Sequence, residues 1–498
     1  MTRIFAAALL PVLLALPLAA RGQDKPAPAT PDLPPRVETR HTLTVTDHNL
    51  DYRAIAETLP LTDAKGEPTA TVYTISYIAD PGPGQRRPVA FVFNGGPGAA
   101  SVFLHLGALG PRILQTPASG AVPAPPYRLV DNPSTWLVFT DLVFIDPVGT
   151  GYSRGAGKGD NPDKPFWDVR ADLRSLGAVV RLWLTRHQRW DSPVFLAGES
   201  YGGFRAAAMA HTLARDVGIA VNAIVLISPA LDLSVLHHGE RDLVAAAVPL
   251  PSYAAAAGIA SGRGDGDGAA VERFALSDYL VGLAGLKGEP PAGDPFIARV
   301  AAIVGLREEV VRRHRGRIPG GVFAREILRE QGKLVSLYDA TIARPAAEGD
   351  RDEAGDPVLD PAVAAYTAAF ENYAPEALGY HTDQPYRVLP RDVSQQWNWE
   401  GAEDRGGLGF ALESLQSALL EHGEMKVLVV NGRYDLVTPY LGTRWLIDQL
   451  SIPAAIRDGI RLEVLPGGHM MYMRPESRAV LAQDAAALFA PVNAAPSQ

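Results

Sequence analysis

Six residues constrain this chain more than any others. Gly198-Glu199-Ser200-Tyr201-Gly202-Gly203 stands between the apolar run Val194 to Ala197 and an Ala-rich segment of helical pattern that ends near Gly218. A lone G-x-S-x-G arises by chance and then describes only a Gly-rich turn. Set between a buried strand and a helix, it describes a nucleophile elbow. Small flanking residues let the chain turn sharply, and the turn lifts the serine hydroxyl clear of the sheet.

The surrounding chain supplies strands for such an elbow. His41-Thr-Leu-Thr-Val and Ala70 to Ile78 alternate and are β-branched, the pattern of antiparallel strands. Val89 to Phe93, Leu142 to Ile145, Val194 to Ala197, Ala223 to Ile227 and Val427 to Val430 are continuous apolar runs of the buried-strand type. Phe166 to Arg186 places Val169, Leu173, Leu176, Val180 and Trp183 on one helical stripe. Strands alternating with helices predict a mainly parallel sheet wrapped by helices, the α/β-hydrolase class. Between the last two strand runs, residues 233–405 carry helical patterns such as Asp294 to Val304 and Glu308 to Arg315, with no convincing strand. A connection that long predicts an inserted helical cap. The expected division is 1–22 signal peptide, 23–40 Pro-rich leader, 41–232 first part of the core, 233–405 cap and 406–498 second part of the core.

A serine nucleophile needs a base and an orienting acid, in this fold in the order Ser, Asp or Glu, His. After residue 422 the one histidine is His469, in Leu465-Pro-Gly-Gly-His, following the strand-like Arg461 to Leu465. Asp435 follows Val427 to Val430 in Asn431-Gly-Arg-Tyr-Asp. Both lie at carboxyl ends of predicted strands, where such sheets gather their sites. Asp448 and Asp458 are rival acids but fall on helical or turn segments. Order and loop position favour Ser200, Asp435 and His469. An oxyanion hole then needs backbone amides: Tyr201, after the nucleophile, and a donor from Asn94-Gly-Gly-Pro-Gly after Val89 to Phe93.

With these motifs in place the chain resembles the serine carboxypeptidases (peptidase family S10), including their bacterial secreted branch. Asn94-Gly-Gly-Pro-Gly, Asp146-Pro-Val-Gly-Thr-Gly-Tyr-Ser, Gly198-Glu-Ser-Tyr-Gly-Gly and Gly468-His-Met occur in the family's order. The resemblance implies Ser200, Asp435 and His469 as the triad and Gly96 and Tyr201 as oxyanion amides. It also implies that Asn94 and Glu199 bind the substrate's terminal carboxylate, and with no second acid beside Glu199 the backbone of Gly95 is expected to share that binding. Four positions depart from the family. Ala108 stands where a second Glu partners the one before the nucleophile, and Val92 where an aromatic is usual. Arg433 replaces an acid, and Ala99 a common Cys. The first leaves Glu199 to hold its own proton against the substrate carboxylate.

Composition narrows the function classes. Net charge is −9, which supplies no strong basic field for nucleic acid. Cysteine is absent from all 498 residues, so disulfides, thiolate metal sites and a Cys nucleophile are excluded. Arg3, the Ala/Leu-rich run Ile4 to Ala20 and small residues at 19, 20 and 22 have the layout of a cleaved secretory signal. That predicts a periplasmic or secreted protein with no membrane anchor after cleavage. His237-His238 has no third ligand at metal spacing, and no H-E-x-x-H occurs, so neither metal nor cofactor is expected. Arg312 to Arg317 reads as a solvated helix end, and Arg263-Gly-Asp-Gly-Asp-Gly as a cap loop. The expectation is a serine-type carboxypeptidase acting on peptides or proteins through an acyl-enzyme. An esterase or acyltransferase on the same triad is the alternative, and a catalytically silent peptide binder a third reading.

Overall fold

The computed structural model describes residues 33–45, 48–80, 87–157, 159–236, 242–346, 355–399 and 410–493. The signal segment, most of the leader and His237-His238 lie outside the described residues. The N-terminal strands are β1 (Arg36–Val45), β2 (His48–Thr62), β3 (Pro68–Ala79) and β4 (Val89–Phe93). A small hairpin of β5 (Arg112–Leu114) and β6 (Leu129–Asp131) precedes β7 (Asp141–Ile145) and the short β8 (Arg154–Gly155). Then come β9 (Val194–Glu199), β10 (Ala223–Ile227), a second hairpin of β11 (Lys333–Val335) and β12 (Ala343–Pro345), β13 (Lys426–Gly432) and β14 (Ile460–Leu465). The main sheet runs β1-β2-β3-β7-β4-β9-β10-β13-β14, with β8 on β3. Pairing is antiparallel from β1 to β7 and parallel from β7 to β14. The chain has the α/β-hydrolase fold.

Both faces of the parallel strands are covered, which is why those strands read as unbroken apolar runs. Phe91, Phe93, Val143 and Leu196 point to one face, against the helices Val169–Arg186, Tyr201–Thr212 and Phe410–Glu421. Ala90, Val92, Phe144 and Phe195 point to the other, against Leu359–Glu376 and Pro475–Asn493. The helix expected from Phe166 begins at Val169, because Asp168 caps it by accepting from the amides of Arg170 and Ala171.

Three features differ from expectation. β1 begins at Arg36, inside the stretch read as leader. The segment 233–405 contains the β11–β12 hairpin, whose three-residue strands are too short for a period to register. That segment is also not all cap. Tyr366, Phe370 and Tyr373 of Leu359–Glu376 are buried in the second core layer, and the Tyr373 hydroxyl lies 2.9 Å from that of Tyr77 on β3. An Ala-rich helix that supplies a core face has the same composition as one that covers a site.

Candidate active site

Ser200 sits at the turn between β9 and the helix Tyr201–Thr212, at φ 59° and ψ −124°. A residue with a side chain is strained there, so neighbours must hold it. Its N–H donates to the Ile227 carbonyl (3.0 Å), and its carbonyl accepts from Ala230 N (3.1 Å), tying it to the end of β10. The flanking glycines are needed for close approach. A Cβ on Gly198 would lie 1.9 Å from the Gly202 carbonyl oxygen, and one on Gly202 would lie 2.3 Å from that of Phe93.

Asp435 and His469 arrive from the ends of β13 and β14. The Nδ1 of His469 is 2.8 Å from Oδ2 of Asp435, and both residues are buried. Asp435 is fixed by three further donors. The amides of Val437 (2.7 Å) and Thr438 (3.0 Å) reach Oδ1, and the Thr438 hydroxyl reaches Oδ2 (2.7 Å). His469 is held from the inserted segment, where its N–H donates to the Tyr338 carbonyl (2.5 Å) and the Tyr338 ring meets the imidazole edge-on. Burial pulls the His469 pKa down, but the Asp435 charge and hydrogen bond, with Glu199, outweigh it and leave the value raised. An imidazole so placed can accept a proton and remain oriented while charged.

The loop Asn94–Gly98 closes the other side. The Asn94 carbonyl accepts from Arg205 (2.6 Å), whose guanidinium forms a fully buried ion pair with Asp172 (2.7 Å). Ser101 N–H donates to Asp146 Oδ1 (2.8 Å), and the Ser101 hydroxyl to the Ile145 carbonyl (2.5 Å). The motif beginning at Asp146 therefore anchors this loop from behind. Gly96 has φ +100°, open to glycine alone at little cost.

Ser200, His469, Gly95, Gly96, Tyr201, Asn94 and Glu199 all line one cavity of about 390 Å³. Asp435 stands behind His469. The remaining wall is largely apolar, and Leu233, Leu236, Tyr338, Leu359, Leu389 and Trp399 come from the inserted segment. Among the described residues no Lys or Arg lines it. Among the described residues no group of three or more His, Asp or Glu converges to hold a metal ion.

At Glu199 the Asn94 amide donates to Oε2 and the Tyr472 hydroxyl to Oε1 (2.8 Å). Burial raises the Glu199 pKa to about 7, a rise that His469, Tyr472 and Asn94 oppose and Asp435 adds to. Tyr472, Thr438, Arg205 and Asp172 escaped the sequence reading. Thr438 lies three residues after Asp435, and that proximity was the available signal.

Residues 73–227 match the family model described as serine carboxypeptidase. Among curated proteins, serine carboxypeptidase-like 9 of Arabidopsis thaliana is 26% identical over 141 residues, 28% of this chain and 30% of that protein. Serine carboxypeptidase-like 15 of the same plant is 30% identical over 125 residues, 24% and 26% of the two chains. The matches thus span under a third of those relatives. Similar solved structures include VinJ (16% identical, TM-score 0.39, 87% of this chain and 98% of that one). Another is brefeldin A esterase, a bacterial homologue of human hormone sensitive lipase (11%, TM-score 0.38, 96% and 80%). The chain is an α/β-hydrolase that across residues 73–227 is similar to the serine carboxypeptidases.

Proposed function

We propose that this protein is a serine-type carboxypeptidase that releases C-terminal residues from peptides through an acyl-enzyme. The observation that carries the reading is the meeting, in one cavity, of Ser200 and His469 with the Asn94–Glu199 pair. His469 takes the Ser200 proton as the hydroxyl oxygen attacks the scissile carbonyl carbon, while Asp435 holds Nδ1 and so fixes the tautomer. The Gly96 and Tyr201 amides receive the charge on the tetrahedral oxygen. His469 then returns the proton to the leaving amine, and water repeats the sequence on the ester. Asn94, the Gly95 amide and protonated Glu199 receive the substrate's terminal carboxylate.

A second reading, an esterase or acyltransferase on the same triad, is favoured by one observation. With no Lys or Arg among the described residues of the cavity wall, a free carboxylate depends on the protonation of Glu199. Assaying N-blocked dipeptides beside their C-terminal amides and esters separates the two. The carboxypeptidase reading expects free acids to be preferred below the Glu199 pKa of about 7. Equal cleavage of acids and amides at every pH gives the site to the esterase reading. The N-terminal layout supports action outside the cytoplasm, in the periplasm or secreted. Loss of export on replacing Leu9 and Leu10 with Asp would support that location.

A further inference from the structure

The grip on Glu199 comes from two directions. Asn94 cannot turn its amide around, because its Oδ1 accepts from Leu104 N–H (2.9 Å) while its Nδ2 donates to Glu199. From the opposite side Tyr472, in the turn Met471–Met473 after the His469 loop, donates its hydroxyl to the second oxygen. We infer that Tyr472 is a positioning residue for substrate recognition. With Asn94 it clamps both oxygens of Glu199, so that the carboxyl keeps one orientation toward the substrate terminus whether or not it carries a proton. The inference rests on the carboxypeptidase reading of the site.

Space and chemistry agree on this role. A Cβ on Gly107 would lie 2.4 Å from the Tyr366 hydroxyl and 3.0 Å from Cε2 of Tyr472. The two tyrosines therefore fill the volume beside Gly107, the residue before Ala108. A carboxyl there would titrate together with Glu199 and share its proton. A phenol does not: burial, then the Glu199 charge, hold Tyr472 well above its ordinary value, so it donates at any working pH.

The groups that act on Glu199 come from every side. They are Asn94 from the loop after β4, Tyr472, Tyr366 from Leu359–Glu376, Tyr338 from the inserted segment, and the His469–Asp435 pair. Among them only His469 can become a cation. The tyrosine thus leaves Glu199 with one proton to gain or lose, in place of a proton shared within a carboxyl pair. That added proton is the one left to face the substrate carboxylate.

The sign of the test follows. Tyr472 stabilises ionised Glu199, so Tyr472→Phe should raise the Glu199 midpoint. The alkaline fall in kcat/KM for a free-acid dipeptide should move up by about 1 pH unit or more, the shift expected when an ionised acceptor loses a donor. A partly unfolded preparation lowers the amplitude of that profile and leaves its midpoint in place. Should the variant not fold, 3-fluorotyrosine at 472 keeps the shape, donates more strongly and should lower the midpoint. The Glu199 carboxyl can also be titrated without substrate, by infrared difference spectroscopy against Glu199→Gln. A shift there supports the role of Tyr472 even where the parent enzyme shows no preference for free acids, the outcome that removes the carboxypeptidase reading alone. An unchanged infrared midpoint in Tyr472→Phe, or in the fluorotyrosine protein, overturns the inference.

Discussion

The buried ion pair behind the oxyanion loop gives the sharpest prediction about how the site is held. Arg205 is fully buried on the helix that starts at the nucleophile, and Asp172 is buried on the neighbouring helix. Nε of Arg205 lies 2.7 Å from Asp172 Oδ2, a second guanidinium nitrogen lies 3.3 Å from Oδ1, and the third reaches the Asn94 carbonyl at 2.6 Å. Asp172→Asn leaves the guanidinium in place with its counter-charge removed. Breaking such a pair from one side costs about 3–5 kcal/mol. Replacing both partners with apolar residues, Asp172→Leu with Arg205→Met, should return most of that stability, because no charge is left buried. Activity should not return with it. The Asn94 carbonyl has lost a charged donor worth about 1.5–3 kcal/mol, and the loop that carries Gly96 is released. If that loss falls wholly on the transition state, kcat/KM toward a small active ester drops about 10- to 150-fold. Urea unfolding with a constant m-value measures the first quantity, and steady-state kinetics the second. An Asp172→Asn protein within about 1 kcal/mol of the parent, or a double variant with parental activity, refutes the reasoning.

Other outcomes follow from the same geometry. Ser200→Ala and His469→Ala should each cost several orders of magnitude in kcat, and the double variant little more, because the groups act as a unit; near-additive losses in the kinetics would contradict this. Asp435→Asn should lower kcat by roughly 10⁴ at neutral pH, since the imidazole loses the partner that fixes its tautomer. Ester hydrolysis should fall on the acid side as the raised His469 takes a proton, while free-acid peptides should also fall above about 7 as Glu199 loses one. A pH–rate series should therefore give a narrow bell for the acids and a single rise for the esters. Gly198→Ala should be strongly destabilised in thermal unfolding, because its Cβ would stand 1.9 Å from a backbone oxygen that cannot move without displacing the helix.

The residues that sequence reasoning found share one property: their meaning lies in the segment around them. Ser200 is marked by small neighbours and a buried strand, and His469 and Asp435 by their place just after apolar runs. The central strands were legible because two covered faces demand unbroken apolar sequence. β2 was harder to see, since its 15 residues mix buried Ile55 and Leu59 with polar positions and Pro60. Tyr472 was invisible for a different reason. Its partner Glu199 lies 273 positions away, and nothing in Met470-Met-Tyr-Met distinguishes a tyrosine that holds a carboxyl from one that fills a core. The pair Arg205–Asp172 is hidden likewise, two charged residues on two helices whose facing is decided only by packing. Ala108 drew attention as an absence, and the structure shows aromatic side chains against its neighbour Gly107.

Covalent trapping tests whether Ser200 forms the acyl-enzyme in a pocket that recognises a free carboxylate. Protein incubated with a serine-directed phosphonate bearing a C-terminal free carboxylate, and separately with its amide, is digested and the adduct located by mass spectrometry. The account predicts one adduct, on Ser200, absent from Ser200→Ala, forming faster with the acid than with the amide below the Glu199 pKa of about 7. No adduct, or one on another residue, would contradict the nucleophile, and equal rates for acid and amide across the pH range would contradict the carboxylate pocket.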